Sequence, residues 1–209
     1  MAEPTNDAHT GLLAWRVSPL AHLAERMRDA AVTGARGVAL AEWPFVSMVN
    51  VRVDPASAAA TRIEKTLGAP LPREHGRTTT SGGHTAFWLG PDEWLVLSQA
   101  EVGAVIAELR EALAADPGSV VDVSANRTTL ELSGPAARQV LEKGCPLDLH
   151  PRVFGPGRAV STTVGPIAVL LWQVDDGPTY RLLPRSSFAD YLARWLIDAM
   201  SEYRGPGLP

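Results

Sequence analysis

The sequence is poor in cysteine, and Cys145 is the only one among its 209 residues. A single thiol excludes an intrachain disulfide and a zinc site built from several cysteines. Such a composition is typical of a reducing compartment, and we therefore expect a cytoplasmic protein. Cys145 follows Gly144 at the end of a predicted helix, where the helix dipole disfavours a thiolate, so we interpret it as a packed thiol.

Long hydrophobic runs and basic clusters are also missing. The longest strongly apolar run, Ile167 to Trp172, is far too short to cross a bilayer. The net charge is −4 and the basic residues are scattered singly, which leaves no basic stripe for a nucleic acid. The polar N-terminal segment has no signal-peptide pattern. We expect no membrane or nucleic acid partner, and flexible tails at 1–14 and 205–209.

Spacings typical of catalytic or cofactor sites are absent as well. No two of the five histidines have the spacing that places a metal-binding pair on one helix face. The glycine pair Gly82-Gly83 fits neither a phosphate loop nor a dinucleotide fingerprint. Asp92 and Glu93 adjoin in a predicted turn, where both stay solvated, unlike a general acid–base pair. The residues alone therefore predict no catalytic, cofactor-binding or metal-binding side chain on this chain.

Hydrophobic periodicity divides the sequence into two similar series of elements. Each series reads as a strand, a helix, further strands and a second helix, and a short helix after Ser18-Pro19 precedes them. This order predicts an α+β fold of two split β-α-β, ferredoxin-like units with helices packed on sheets. We place the first half at 15–123 and the second at 124–204, both within one compact domain. The Pro- and Gly-rich segment Leu71 to Gly83 is predicted to be an exposed loop that is mobile or touches a partner.

Tryptophan is frequent, with six residues in the chain. Three of them fall on stripes predicted to be buried, whereas Trp15 and Trp43 lie in loops and are better placed to anchor a protein interface.

Four polar residues adjoin predicted loops: Asn126, Arg127, His150 and Arg152. We expect them to contribute polar contacts to the same interface. For Asn126 a second interpretation is equally open, in which its side chain only satisfies local backbone groups.

One long segment carries a family resemblance. The run from Val121 to Pro135, with the sequence VDVSANRTTLELSGP, resembles the central signature of sarcosine oxidase gamma subunits. Shorter segments in the same order are similar to that family too, so the resemblance covers nearly the whole chain: Arg16 to Leu20, Trp88 to Leu95, Lys143 to Pro151 and Arg185 to Leu192.

The resemblance implies both a fold and a role. The family is similar to folate-dependent aminomethyltransferases such as the glycine cleavage T-protein. It implies a complex of alpha, beta, gamma and delta subunits that demethylates sarcosine to glycine, reduces oxygen to hydrogen peroxide, and yields formaldehyde or 5,10-methylenetetrahydrofolate. FAD, FMN, NAD and zinc would lie on the other subunits, with tetrahydrofolate as co-substrate. This chain would be non-catalytic and would dock mainly on the alpha subunit.

Two alternatives to a structural subunit are open. A free-standing folate-binding or aminomethyltransferase-like protein would need a carboxylate in a pocket, and only Asp175 and Asp176 are available. The T-protein glutamate after Gly-Tyr-Thr-Gly is absent, and a hairpin turn explains Asp-Asp-Gly-Pro without a ligand. A regulator that binds a small molecule is compatible with the fold but has no supporting residue.

Overall fold

The computed structural model describes residues 15–205, so the tail predicted at 1–14 and all but the first residue of the tail predicted at 205–209 lie outside the described residues. Within that range the chain forms strands β1 Ala39–Glu42, β2 Ser47–Val53, β3 Thr78–Ser81, β4 His84–Gly90, β5 Glu93–Ser98, β6 Gly118–Asp122, β7 Leu130–Ser133, β8 Arg158–Val164, β9 Ile167–Asp175 and β10 Thr179–Pro184. Its helices are α1 Ala24–Asp29, α2 Ala58–Leu67, α3 Val102–Leu113, α4 Ala137–Glu142 and α5 Ala189–Met200. None of these helices is long and apolar enough to span a bilayer.

The strands form two five-stranded antiparallel sheets with matching order. Sheet I has the order β1-β7-β10-β9-β8, and sheet II has the order β3-β4-β5-β2-β6. Four strands of sheet II follow the split β-α-β pattern predicted from the sequence, and β3 extends it at one edge. Sheet I has the same pattern, with β8 as its extra edge strand. The α+β fold of two such units is therefore confirmed.

Strand β1 departs from the predicted division into halves. It precedes sheet II in the chain, yet it pairs with β7 of sheet I, with Leu40 opposite Leu132. In sheet I, β1 is the edge strand beside β7. In sheet II the equivalent edge strand is β6, which lies beside β2. The boundary that we predicted at residue 123 assigns β1 to the first half, whereas the structure places it in the sheet of the second.

The two sheets pack face to face, and the helices cover their outer faces. Alternation along β9 shows the arrangement, since Leu170 and Trp172 point to the core between the sheets and Val169 and Leu171 to the helices. Helices α1, α4 and α5 cover sheet I, and helices α2 and α3 cover sheet II. The result is a four-layer α/β/β/α sandwich with a separate apolar core at each of its three layer boundaries.

Local sequence signals account for most element ends. The Ser57 side chain caps α2 by accepting a hydrogen bond from the Ala60 backbone N–H at 3.2 Å, a contact worth about 1 kcal/mol. Gly68 ends that helix in the left-handed conformation with φ 69°, which glycine adopts without strain. The turn predicted at Asp92 and Glu93 joins β4 and β5 into a hairpin.

Three residues near element boundaries do not lie where the sequence pattern would place them. Ser18 donates a hydrogen bond to Glu42 at 2.5 Å instead of capping a helix, so α1 begins only at Ala24 after a 3₁₀ turn. Phe45 is not in β2, since its φ of 59° lies in the left-handed region that no strand uses. The helical spacing of apolar residues from Phe188 to Met200 predicts a buried Phe188, but this residue lies just before α5 and is exposed.

The segment from Leu71 to Gly83 is not the open loop that we predicted. Leu71 is buried, and the backbone carbonyl of Pro72 accepts a hydrogen bond from the Trp94 indole at 2.8 Å. The segment also contains β3, which pairs with β4. Buried anchors at one end and a strand at the other fix this stretch on the surface of sheet II.

Candidate functional site

A cavity of about 230 Å³ lies where the chain crosses between the two sheets. The segment after β1 runs beside the segment before β7, and the Trp43 backbone N–H donates to the Thr129 carbonyl at 2.8 Å. On the sheet II side, the Met48 N–H donates to the Ser124 hydroxyl at 3.0 Å. These bonds fix both crossover segments, and we call the space they enclose the junction cavity.

Apolar side chains form one wall and the rim of the junction cavity. Trp43, Val46 and Met48 line its inner part, while Val17 and Phe45 lie at its mouth with 78% and 49% of their surface exposed. The left-handed backbone at Phe45 turns the chain so that its ring faces outward. Exposed apolar side chains around a concavity are typical of a surface that another molecule covers.

Arg127 supplies positive charge to the opposite wall. It is half-buried, and its Nη1 donates to the Leu183 carbonyl at 2.7 Å. Burial lowers the pKa of Arg127. The positive charge of Arg185, whose backbone pairs with that of Arg127, lowers this pKa further. Among residues 15–205 no carboxylate forms an ion pair with either arginine. The wall therefore holds a guanidinium without a compensating anion.

Two adjacent threonines in the cavity lining differ in their hydrogen bonding. Thr128 donates its hydroxyl to Glu42 at 2.6 Å, and Ser18 donates to the other oxygen of the same carboxylate. Thr129 is 0% exposed, and its hydroxyl oxygen has no hydrogen-bond partner in the structure. A buried hydroxyl without a partner costs roughly 1–3 kcal/mol, so Thr129 is an unsatisfied polar group in the cavity lining.

Of the six residues predicted for an interface, two line the junction cavity and two others are next to lining residues in the sequence. Trp43 and Arg127 line the junction cavity, Trp15 directly precedes its lining residue Arg16, and Asn126 directly precedes Arg127. Trp15 is 84% exposed. The backbone of Asn126 is held by Ser186, whose N–H donates to the Asn126 carbonyl at 2.9 Å, and its side chain is exposed.

His150 and Arg152 do not line the junction cavity. Both are exposed in the loop between α4 and β8, where local bonds close the turn. The Asp148 carboxylate accepts the His150 N–H at 2.9 Å, and the His150 ring accepts the Arg152 N–H at 3.2 Å. For these two residues the interface role stays a prediction.

A second cavity of about 350 Å³ adjoins the first and shares Trp43 and Val46 with it. Arg181 lies between two of its lining rings, with its guanidinium carbon 3.7 Å from the centre of Trp43 and 5.1 Å from that of Trp172. The sequence did not indicate a role for Arg181 or Thr129. Alternation along a strand predicts which side of the sheet a side chain faces, but not which residues it contacts there.

Asp175, one of the two carboxylates named for the folate-binding alternative, is engaged in local structure. The Asp175 carboxylate accepts hydrogen bonds from the backbone of Gly177 at 2.9 Å and Thr179 at 3.0 Å, which closes the turn between β9 and β10. The thiol of Cys145 is buried. Within the described range, no three His, Cys, Asp or Glu side chains form a group able to hold a metal ion.

Comparison with known proteins gives consistent matches over most of the chain. A model of the "Sarcosine oxidase, gamma subunit family" matches residues 50–202. The chain is 46% identical over 192 residues to a sarcosine oxidase subunit gamma from Arthrobacter sp, covering 91% of this chain and 93% of that one. It is 44% identical over 199 residues to the protein of the same name from Corynebacterium sp. (strain U-96), covering 95% of this chain and 96% of that one.

Two solved structures resemble the fold. A chain of the heterotetrameric sarcosine oxidase from Corynebacterium sp. U-96, in complex with pyrrole 2-carboxylate, has a TM-score of 0.88 at 42% identity, covering 93% of this chain and 99% of that one. The glycine cleavage system aminomethyltransferase T from Bartonella henselae has a TM-score of 0.64 at 15% identity, and the match covers 90% of this chain and 62% of that one. The second likeness shows the aminomethyltransferase fold alone, in agreement with the fold resemblance stated from the sequence.

Proposed function

The chain belongs to the sarcosine oxidase gamma subunit family, and from this premise we propose that it is the gamma subunit of a heterotetrameric sarcosine oxidase. The main support for this proposal is one structural match. The chain matches 99% of a subunit in a solved complex of that kind with a TM-score of 0.88, so the whole fold is shared and not one module of it. The complex would oxidatively demethylate sarcosine to glycine with oxygen, giving hydrogen peroxide and formaldehyde or 5,10-methylenetetrahydrofolate.

We assign this chain a role in assembly, with the chemistry on other subunits. FAD, FMN, NAD and zinc would belong to the alpha, beta and delta chains, tetrahydrofolate would be the co-substrate, and the complex would be cytoplasmic. The support on this chain is its surface, where Val17 and Phe45 expose apolar side chains at the mouth of a concavity and the nearby Trp15 is exposed as well. Such side chains are more typical of a covered interface than of a free surface.

The interface that we propose is centred on the junction cavity. It includes Trp15, Trp43, Asn126 and Arg127 and faces mainly the alpha subunit. Aromatic and arginine side chains are the residue types that most often dominate the binding energy of protein interfaces. The rim supplies the apolar anchors, and Arg127 supplies a charge that a partner can neutralise.

The experiment is co-expression of the tagged chain with alpha, beta and delta chains of the oxidase, followed by size exclusion and a peroxide assay with sarcosine. We expect stoichiometric co-elution, and less assembled oxidase when the chain is omitted. The double variant Trp15→Ala/Phe45→Ala should weaken co-elution. The matched control is Tyr191→Ala, another exposed aromatic residue, on α5. A chain that runs alone and binds tetrahydrofolate would overturn the proposal.

A further inference from the structure

We infer that the junction cavity receives a carboxylate side chain of a partner subunit, bound by Arg127 and Thr129. This inference rests on the proposed function and specifies the contact that the interface would make. It follows from three features of the cavity: its hydrogen-bond donors, its balance of charge, and its size and rim.

The free polar groups in the cavity wall can all donate a hydrogen bond. Arg127 uses Nη1 for the Leu183 carbonyl, and its other N–H groups form no hydrogen bond in the described structure. The Thr129 hydroxyl is buried without a partner. The hydroxyl of Ser186 is already donated to the Ala125 carbonyl at 2.9 Å. A ligand that matches the free groups must accept hydrogen bonds, and a carboxylate accepts them from a guanidinium with the best geometry.

The charge at this place is not balanced from within the described chain. Three arginines meet here: Arg16 on the rim, Arg127 in the wall and Arg185 beside it. None of them forms an ion pair with a carboxylate in residues 15–205. The nearby carboxylate of Glu42 is held by the hydroxyls of Ser18 and Thr128. An acidic group from outside would complete the site.

Size and rim favour a protein side chain over a free metabolite. The cavity holds about 230 Å³, below the range of about 300–1,000 Å³ that is usual for small-molecule sites. The rim continues outward as exposed apolar surface at Val17 and Phe45, which a small carboxylate would leave uncovered. A partner segment covers that surface while one of its acidic side chains enters the cavity.

A competition inside the assembled complex tests the inference. Tagged variant and untagged wild-type chains are co-expressed with the other subunits, and mass spectrometry gives the ratio of the two in the purified oxidase relative to the lysate. Arg127→Gln should lower that ratio about 30-fold or more, as expected when one member of a buried charge pair is lost. Arg110→Gln is the control, since Arg110 also donates to a backbone carbonyl, that of Val120, and does not line the cavity.

Thr129→Val separates binding from folding. The substitution removes a buried hydroxyl that has no internal partner, so the free chain should melt at the same or a higher temperature. Incorporation should nevertheless fall about 10-fold, because the hydroxyl would be lost as a donor to a charged group. If the free chain loses stability instead, Thr129 has an internal role and its assignment to the ligand is wrong.

The remaining outcomes distinguish the two proposals. If wild-type chain enters the complex and both variants enter as well as Arg110→Gln, the cavity inference fails and the subunit role stands. If wild-type chain does not co-purify at all, the subunit role itself fails. If acetate or butyrate changes the tryptophan fluorescence of the free full-length chain in an Arg127-dependent manner while the variants assemble normally, the occupant is a small carboxylate and the partner side chain is excluded.

Discussion

Arg181 stacks on Trp43 with its guanidinium carbon 3.7 Å from the centre of the indole. The same guanidinium donates from Nε to Glu131 on the adjacent strand at 2.9 Å. Arg181 thus links strands β10 and β7 of sheet I to Trp43, which lines both cavities. The arrangement combines a cation–π contact with an ion pair that is largely shielded from solvent.

We predict that Arg181→Leu destabilises the protein by about 2 kcal/mol, because it leaves the partly buried Glu131 carboxylate without its charged hydrogen-bond donor. Arg181→Lys should restore part of the loss, since lysine keeps the charge but not the planar stacking. Urea denaturation gives both values. Arg52→Ala is the control; its ion pair with Asp92 is exposed, so a smaller change is expected. Equal losses in both positions would contradict a special role for Arg181.

Acid should remove the contribution of an ion-pair cluster on α5. A hydrogen bond from Arg194, and then one from His22, lower the pKa of Asp190 from 3.8 to about 2. Because the folded pKa lies below the unfolded one, the contribution is fully present above about pH 4 and is lost as the pH falls through about 2. Asp190→Asn should therefore be less stable than wild type at pH 7.

Denaturation at several pH values checks this prediction. The difference between wild type and Asp190→Asn should shrink below about pH 4 and approach zero near pH 2. Asp198→Asn, on the same helix, is the matched control, because Asp198 forms no ion pair among the described residues. A difference that stays constant down to pH 2 would show that the substitution acts through packing.

Gly144 is a position where close packing forbids a side chain. A Cβ atom there would lie 2.6 Å from Cζ2 of Trp195 and 2.9 Å from the Gly165 nitrogen. We expect Gly144→Ala to cost about 1–3 kcal/mol, because a ring and a backbone atom must shift together. Thermal or urea unfolding measures the loss. Gly205→Ala is the control, since the space around Gly205 is open, and it should leave stability unchanged.

Cys145 should react with thiol reagents only after the structure opens. Its side chain is buried in the core between sheet I and its helices. A reagent such as DTNB should label the native chain slowly and the urea-unfolded chain at once, with the native rate rising in step with destabilising variants such as Gly144→Ala. Fast labelling of the stable native chain would contradict the observed burial.

Local signals in the sequence predict local structure well. The turn chemistry of Gly90 to Glu93 fixes a hairpin, and Gly68 ends α2 in the left-handed conformation that glycine favours. Gly144 was correctly read as the end of a helix, but the contact with Trp195 that explains it depends on packing across 50 residues of chain, which local patterns do not contain.

The candidate site depended on such distant contacts. The sequence marked Arg127 and Trp43 by residue type and loop position, and the structure places both in one cavity. Thr129 looked like an ordinary strand residue, because alternation predicts only that it faces one side of a sheet. Its missing hydrogen-bond partner becomes visible only when both crossover segments are in place.

The pairing of β1 with β7 sets an order for folding during synthesis. Strands β2 to β6 are all made between these two, so sheet II has every strand that it needs before β7 exists. Pairing across a long stretch of chain is slow, because the intervening residues must be ordered first. A growing chain would thus carry β1 as an unpaired edge beside a finished sheet II, and an open edge is where a second nascent copy can pair wrongly.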